Sequence, residues 1–347
     1  MRKKDPKYKE WLKRRLAKKA RKKANKRKTK SYSLQTTSKY KPKEDRNIKQ
    51  QPKIDKTVTA PANFCIRENY EEVVPFFSSI LEYMYSREKG ENIFFDLSRV
   101  ERISVDAIIY LLAIIKDLQK LGKVKHNFIG NLPKNEECKQ LFIHSGFLNY
   151  VNSRHSKIEP VSDMIQIECK NIYDQTVTKK VCDFICEKAH CDISQTKFLY
   201  VLINEMMLNT YQHAYKDDTL TNNWYLFVQY DTNIKFTFLD TGLGIPCTVQ
   251  KKWHEKVLNK KDSNIITSAL NGDFRTKTKH KYRGKGLPKI KECLDRKNLN
   301  NINIISNKAF CSLNVENDLT VINEINLSQS LPGTIYYWEL NLKGEKI

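Results

Sequence analysis

The chain has 347 residues, 62 of them Lys or Arg and 39 Asp or Glu, for a formal net charge of +23. Residues 1–56 hold 24 of the basic and only 5 of the acidic residues, so the rest of the chain is nearly neutral. The longest apolar run, Ala107–Ile115, falls far short of the ~20 residues of a membrane-spanning helix. Nine cysteines with no CxxC pair exclude a disulfide scaffold. Met1-Arg2-Lys3-Lys4 has no apolar stretch behind it, which predicts no secretory leader and a reducing cytoplasm as the compartment. At roughly 150 residues per domain, the neutral body predicts two domains.

The basic arm, 1–56, carries Lys13-Arg14-Arg15, Lys18-Lys19, Arg21-Lys22-Lys23 and Lys26-Arg27-Lys28. Trp11, Leu12, Leu16, Ala17, Ala20 and Ala24 recur at helical spacing, so 8–28 is expected to fold on a partner and to be disordered alone. The arm reads as an electrostatic footprint on nucleic acid. An anionic membrane surface, an acidic protein and a merely solubilising tail stay open beside that reading.

A first domain is expected over 57–155. Residues 57–66 supply an edge strand, Glu71–Ser86 a helix, and Asn92–Leu97 a buried strand ending on Asp96. Ser104–Leu121 follows as a helix with Ile108, Leu111, Leu112, Ile115 and Leu118 on one stripe, closed by Gly122. Lys123–Ile129 reads as a strand, and Asn135–Ser145 as a helix stopped by Gly146. Short connections between alternating strands and helices imply parallel pairing in an α/β layer.

The stretch 92–150 resembles the STAS domain of anti-sigma factor antagonists. The resemblance rests on Asp96-Leu97-Ser98, Ile103-Ser104-Val105-Asp106-Ala107-Ile108 and Leu141-Phe142-Ile143-His144-Ser145-Gly146-Phe147. That family's regulatory serine opens the helix, where this chain has Asp106. A carboxylate there suits a helix N-terminus and cannot accept a phosphoryl group. Ser104 is the shifted alternative, and an ordinary helix-start aspartate is the plain reading.

The second domain, 160–347, carries four ordered motifs. A helix expected over 196–215 places Glu205, Asn209 and His213 on one face, while Phe198, Leu199, Leu202, Ile203 and Met206 supply its apolar side. Strands expected at Trp224–Tyr230 and Ile234–Leu239 lead into Asp240-Thr241-Gly242-Leu243-Gly244, where two glycines permit close backbone approach to a ligand. Arg283-Gly284-Lys285-Gly286-Leu287 then opens a helix running to about Asp295, an arrangement that offers N–H groups to a phosphate. Pro332-Gly333-Thr334 leads into a last strand, Ile335–Leu342. Five of the eleven glycines sit in these motifs.

Together these motifs resemble the GHKL ATPases of the Bergerat fold, and most closely the anti-sigma factor serine kinases. The resemblance implies an α+β sandwich that binds ATP and Mg²⁺. Asn209 would hold the metal, a hard amide oxygen for a hard ion. Glu205 would orient or deprotonate the attacking hydroxyl or water. Asp240 would accept the adenine amino group with Thr334 beside it, Gly242 and Gly244 shaping the turn. Gly284 and Gly286 would grip the phosphates, with Arg283 and Lys285 as further phosphate contacts, and 247–283 would be the lid. The expected function is a Mg-ATP-dependent serine/threonine kinase with a protein substrate or regulator as partner. An ATP-gated switch that dimerises, and a nucleic-acid module whose ATP site only gates conformation, stay open.

His254-Glu255 lies between the glycine boxes, so the sensor histidine kinase arrangement, with its phosphoacceptor ahead of Glu205, is absent. Cys182, Cys186, His190 and Cys191 approach zinc spacing, but 176–191 reads as a helix with apolar cysteines.

Overall fold

The computed structural model describes residue 54 and residues 56–85, 92–122, 129–151, 158–213, 223–249, 260–274, 286–296, 298–317 and 319–340. They belong to one compact unit, Pro52–Ile347. The arm expected at 1–56 lies outside the described residues except for its last positions. Most of the strand expected at 123–129 lies outside them too.

The fold is mixed α/β. Strands β1 (Lys56–Thr59), β3 (Ile93–Asp96) and β5 (Ile129–Gly130) pair in parallel in the order β1-β3-β5. The pair β2 (Asn63–Phe64) and β4 (Arg102–Ile103) is also parallel. Between and after these strands come helices α1 (Tyr70–Tyr85), α2 (Val105–Lys120), α3 (Glu136–His144) and the short α4 (Phe147–Val151). Asn135 caps α3 by accepting from the Cys138 amide at 3.0 Å, and Glu136 and Glu137 occupy its first turn, where the helix dipole favours them.

A five-stranded sheet follows: β6 (Met164–Lys170), β7 (Trp224–Tyr230), β8 (Ile234–Asp240), β9 (Asn300–Glu316) and β10 (Leu319–Leu340). Its order is β6-β7-β8-β10-β9, and all four pairings are antiparallel. Helices α5 (Gln175–Ala189), α6 (Lys197–His213), α7 (Asp262–Leu270) and α8 (Gly286–Asp295) contribute to a core with one face of that sheet. Asp192 and Gln195 form a reciprocal capping box at the 3₁₀ turn Ile193–Thr196, which runs directly into α6.

Both faces of the large sheet are buried, and strand periodicity divides its side chains between them. Trp224, Leu226, Val228, Phe236 and Phe238 pack into the core of α5–α8, whereas Tyr225, Phe227, Leu239 and Ile335 share a core with α1, α2 and the small parallel sheet. Helix α2 is therefore not the one-striped helix expected from Ile108, Leu111, Leu112, Ile115 and Leu118. Every residue from Ala107 to Ile115 is at most 1% exposed. A helix apolar all round is the form a core helix takes, and this one is covered by the large sheet as well as by its own neighbours.

Two further features go beyond the expectations. The stretch 247–283 holds helix α7, because Ile265, Ile266, Ala269 and Leu270 recur on one helical face and are buried. The last strand begins at Leu319, well before Ile335. Its pairing with β9 shifts register between Asn326 and Thr334, and these irregularities accommodate Pro332-Gly333 within a continuous strand.

Candidate functional site

The described motif residues form two groups, Glu205, Asn209 and Gly286 on α6 and α8, and Asp240 with Thr334 on the large sheet. On α6, Glu205 and Asn209 are both half-buried and one turn apart. They face the start of α8: a β-carbon built on Gly286 would lie 2.8 Å from Asn209 Nδ2 and 3.7 Å from Glu205 Cβ. Any larger residue at 286 would force the Asn209 amide to shift. Two motifs some 80 residues apart are thus brought into contact. Arg283, Gly284 and Lys285, the other members of the glycine box, lie outside the described residues, and His213 ends α6.

Asp240 ends β8 in phase with Phe236 and Phe238, on the α5–α8 side of the sheet. Its backbone neighbours are Trp224 on β7 and Thr334 on β10. The carboxylate accepts from the Gly242 amide at 2.8 Å. Burial, opposed only by that hydrogen bond, pushes its pKa up to about 7. A buried carboxyl with one donor from its own loop has acceptor capacity left for a ligand N–H.

Thr334 is buried, and its hydroxyl lies 3.2 Å from the Ser306 hydroxyl, which donates to the Gly333 carbonyl at 2.7 Å. Gly333 has φ +92°, and a β-carbon there would fall 1.9 Å from the Asp240 carbonyl oxygen. Only glycine allows β10 and the Asp240 turn to touch this closely.

Sequence reasoning missed the residues that brace this contact. Ser306 accepts from the Ile245 amide at 2.9 Å, and Asn307 donates to the Leu243 carbonyl at 3.1 Å. Gly244 sits against them at φ +82°. The Asn307 Oδ1 atom is buried and has no hydrogen-bond partner among the described residues. The signal was a polar Ser-Asn-Lys run between Ile304-Ile305 and Ala309-Phe310. From the opposite face, Asp117 of α2 accepts from the Thr241 hydroxyl at 2.8 Å, and Tyr110 donates to the Pro332 carbonyl at 2.9 Å. A lone acid in the Ala-Ile-Ile-Lys-Asp-Leu stretch of α2 was the trace that Asp117 left in the sequence.

Asp106 does not join this site. It lies in the first turn of α2, 1% exposed, bonded to the Ser104 hydroxyl, to the Ala107 amide at 2.8 Å and to Arg67 Nε at 3.1 Å. It borders the sheet face opposite Asp240. Among the described residues no cluster of His, Cys, Asp and Glu could hold a metal ion; Cys186 and Cys191 lie 3.9 Å apart through their sulfurs.

Asn209 and Glu205 offer hard oxygen donors beside Gly286, and Asp240 offers a buried acceptor on the same side of the large sheet. That donor set fits a nucleotide phosphate with Mg²⁺ at one end and a base bearing an amino group at the other. No protein-family model matches the chain, and no curated protein matches it.

Proposed function

We propose that residues 160–347 form a Bergerat-type domain that binds Mg-ATP, that 57–155 form a STAS-like module, and that the chain is a regulatory serine/threonine protein kinase. The observation that carries the nucleotide reading is the contact of Asn209 and Glu205 with Gly286, together with buried Asp240 opposite Thr334. Asn209 would hold Mg²⁺ through its amide oxygen; the ion, when bound, offsets phosphate charge. Asp240 would accept the adenine amino group, and its burial makes that single contact count, because an unpaired buried acceptor is costly. Glu205 would orient the attacking hydroxyl or take its proton.

A second reading, an ATP-gated conformational switch, is favoured by the hydrogen bonds from Asp117 and Tyr110. They tie the Thr241 turn and β10 to α2, so a nucleotide that moves either one pulls on the N-terminal half. The basic arm supplies nucleic acid as an expected partner in either case.

Titration calorimetry of the full chain tests the site. Asp240→Asn is expected to weaken Mg-ATP and Asn209→Ala to remove the Mg²⁺ dependence; unchanged affinity in both variants overturns the assignment. Incubation with labelled Mg-ATP and cell lysate, read by phosphopeptide mass spectrometry, separates the kinase from the switch.

A further inference from the structure

A cavity of about 410 Å³ lies on the sheet face turned away from Asp240. Its size falls within the usual range of small-molecule sites. Phe227, Thr237 and Tyr337 of the sheet form its floor, the first turn of α2 its wall, and Leu141 of α3 one side. Glu101 and Glu137, both exposed, also line it.

Arg67 is the group in it that the fold leaves half used. Its Nε donates to Asp106, and its guanidinium carbon lies 3.5 Å from the centroid of the Tyr337 ring. Neither terminal amino group has a hydrogen-bond partner among the described residues. The plane is fixed by an ion pair along one edge and by stacking on one face, so the fork is preorganised at little further entropic cost. Such a fork takes a carboxylate through two parallel hydrogen bonds.

The surrounding charges narrow the ligand. The lining holds three cations and four carboxylates. Arg102 is paired with Glu68 and Lys235 with Asp231, whereas Glu101 and Glu137 make no ion pair among the described residues. A phosphate dianion would meet net repulsion here. A single carboxylate at Arg67 with an ammonium group toward Glu101 and Glu137 would meet complementary charge at both ends. Leu141 and Phe227 add apolar wall for a side chain. Burial, reinforced by Asp106 and Glu68, pushes the Cys65 thiol up to about 11, so it lines the cavity as a neutral group.

We propose that this cavity binds a zwitterionic small molecule, an α-amino acid or dipeptide with an apolar side chain. Arg67 clasps its carboxylate, and Glu101 and Glu137 receive its ammonium group. The site is argued from the cavity alone and stands apart from the nucleotide reading.

The test is calorimetry of the nucleotide-free full chain with L-leucine, L-phenylalanine and glycyl-leucine. N-acetyl-L-leucine, L-leucinamide and inorganic phosphate serve as comparisons. At least one free zwitterion is expected to saturate the protein, and loss of either charged end should weaken it about tenfold or more. Glu101→Gln with Glu137→Gln, both at exposed positions, should weaken leucine and leave N-acetyl-leucine unchanged. Arg67→Lys keeps a cation beside Asp106 but loses the fork, and should weaken carboxylate-bearing probes. If it fails to fold, Leu141→Trp, which narrows the cavity, replaces it and is expected to abolish binding. The proposal is overturned if no zwitterion binds below about 10 mM, if the blocked analogues bind as well, or if phosphate binds more tightly than all three.

Discussion

Thr241→Val probes the tie between the two faces of the large sheet. The Thr241 hydroxyl donates to Asp117 Oδ2 across 2.8 Å, and the two residues are 6% and 2% exposed. Valine keeps the shape of threonine and deletes the donor, leaving a buried carboxylate short of one hydrogen bond. Such a loss costs about 1–3 kcal/mol; at ~2 kcal/mol the folded-to-unfolded ratio falls roughly thirtyfold. For a unit of this size that lowers Tm by about 3 °C. Urea unfolding of the full chain, followed through the buried Trp224 and Trp338, should show a lower midpoint with an unchanged slope. Thr241→Ser, which keeps the hydroxyl, is the control. A valine variant within about 0.5 kcal/mol of wild type, or no weaker than the serine variant, refutes the reasoning.

Gly333→Ala should cost more, because the added carbon lies 1.9 Å from a backbone oxygen at φ +92°; retention of wild-type Tm would mean that β10 and the Asp240 turn separate easily. Asp240 has its folded pKa raised to about 7, so it keeps its proton while the unfolded chain sheds one above ~4. Its contribution to stability therefore declines as pH rises from ~4 to ~7 and is flat above. Asp240→Asn should remove that slope and be the more stable protein above pH 7, by at most ~4 kcal/mol; parallel profiles between pH 4 and 8 contradict this. Glu205→Ala should retain Mg-ATP and lose turnover, since positioning of the nucleophile acts in the transition state; equal turnover would remove Glu205 from that role. Deleting residues 1–56 should abolish nucleic-acid binding and leave ATP affinity intact, with a salt slope of about −0.9 per phosphate contact on duplex DNA in the full chain; equal binding by both forms would make the arm a solubilising tail.

Strong local patterns in the sequence translate closely into structure. The helix expected at 196–215 is Lys197–His213, and the strand expected at Trp224–Tyr230 has those bounds. Capping residues and glycine stops fix such ends through chemistry confined to a few neighbours. What needs distant partners was harder to see. The run Trp224-Tyr225-Leu226-Phe227-Val228 is apolar without alternation, which is how a strand buried on both faces reads, yet nothing local says what covers the second face. Ser306 and Asn307 matter because a fold brings Gly244 and Gly333 to them, and Asp117 because α2 crosses behind Thr241. The contact of Asn209 with Gly286 agrees with the motif order, whereas the cavity around Arg67 is assembled from strands and helices with no shared local signature.

The hydrogen bond from Tyr110 to Pro332 spans 222 positions, and α2 is sealed only when β7, β8 and β10 are in place. At roughly 5–20 residues per second, synthesis takes about 10–45 s to run from one partner to the other. For that interval the apolar segment Ala107–Ile115 has left the ribosome without the sheet that covers it. The nascent chain must hold the segment against α1 and β3 or against a chaperone, and newly made chains at high concentration are the state in which this protein is most exposed to aggregation.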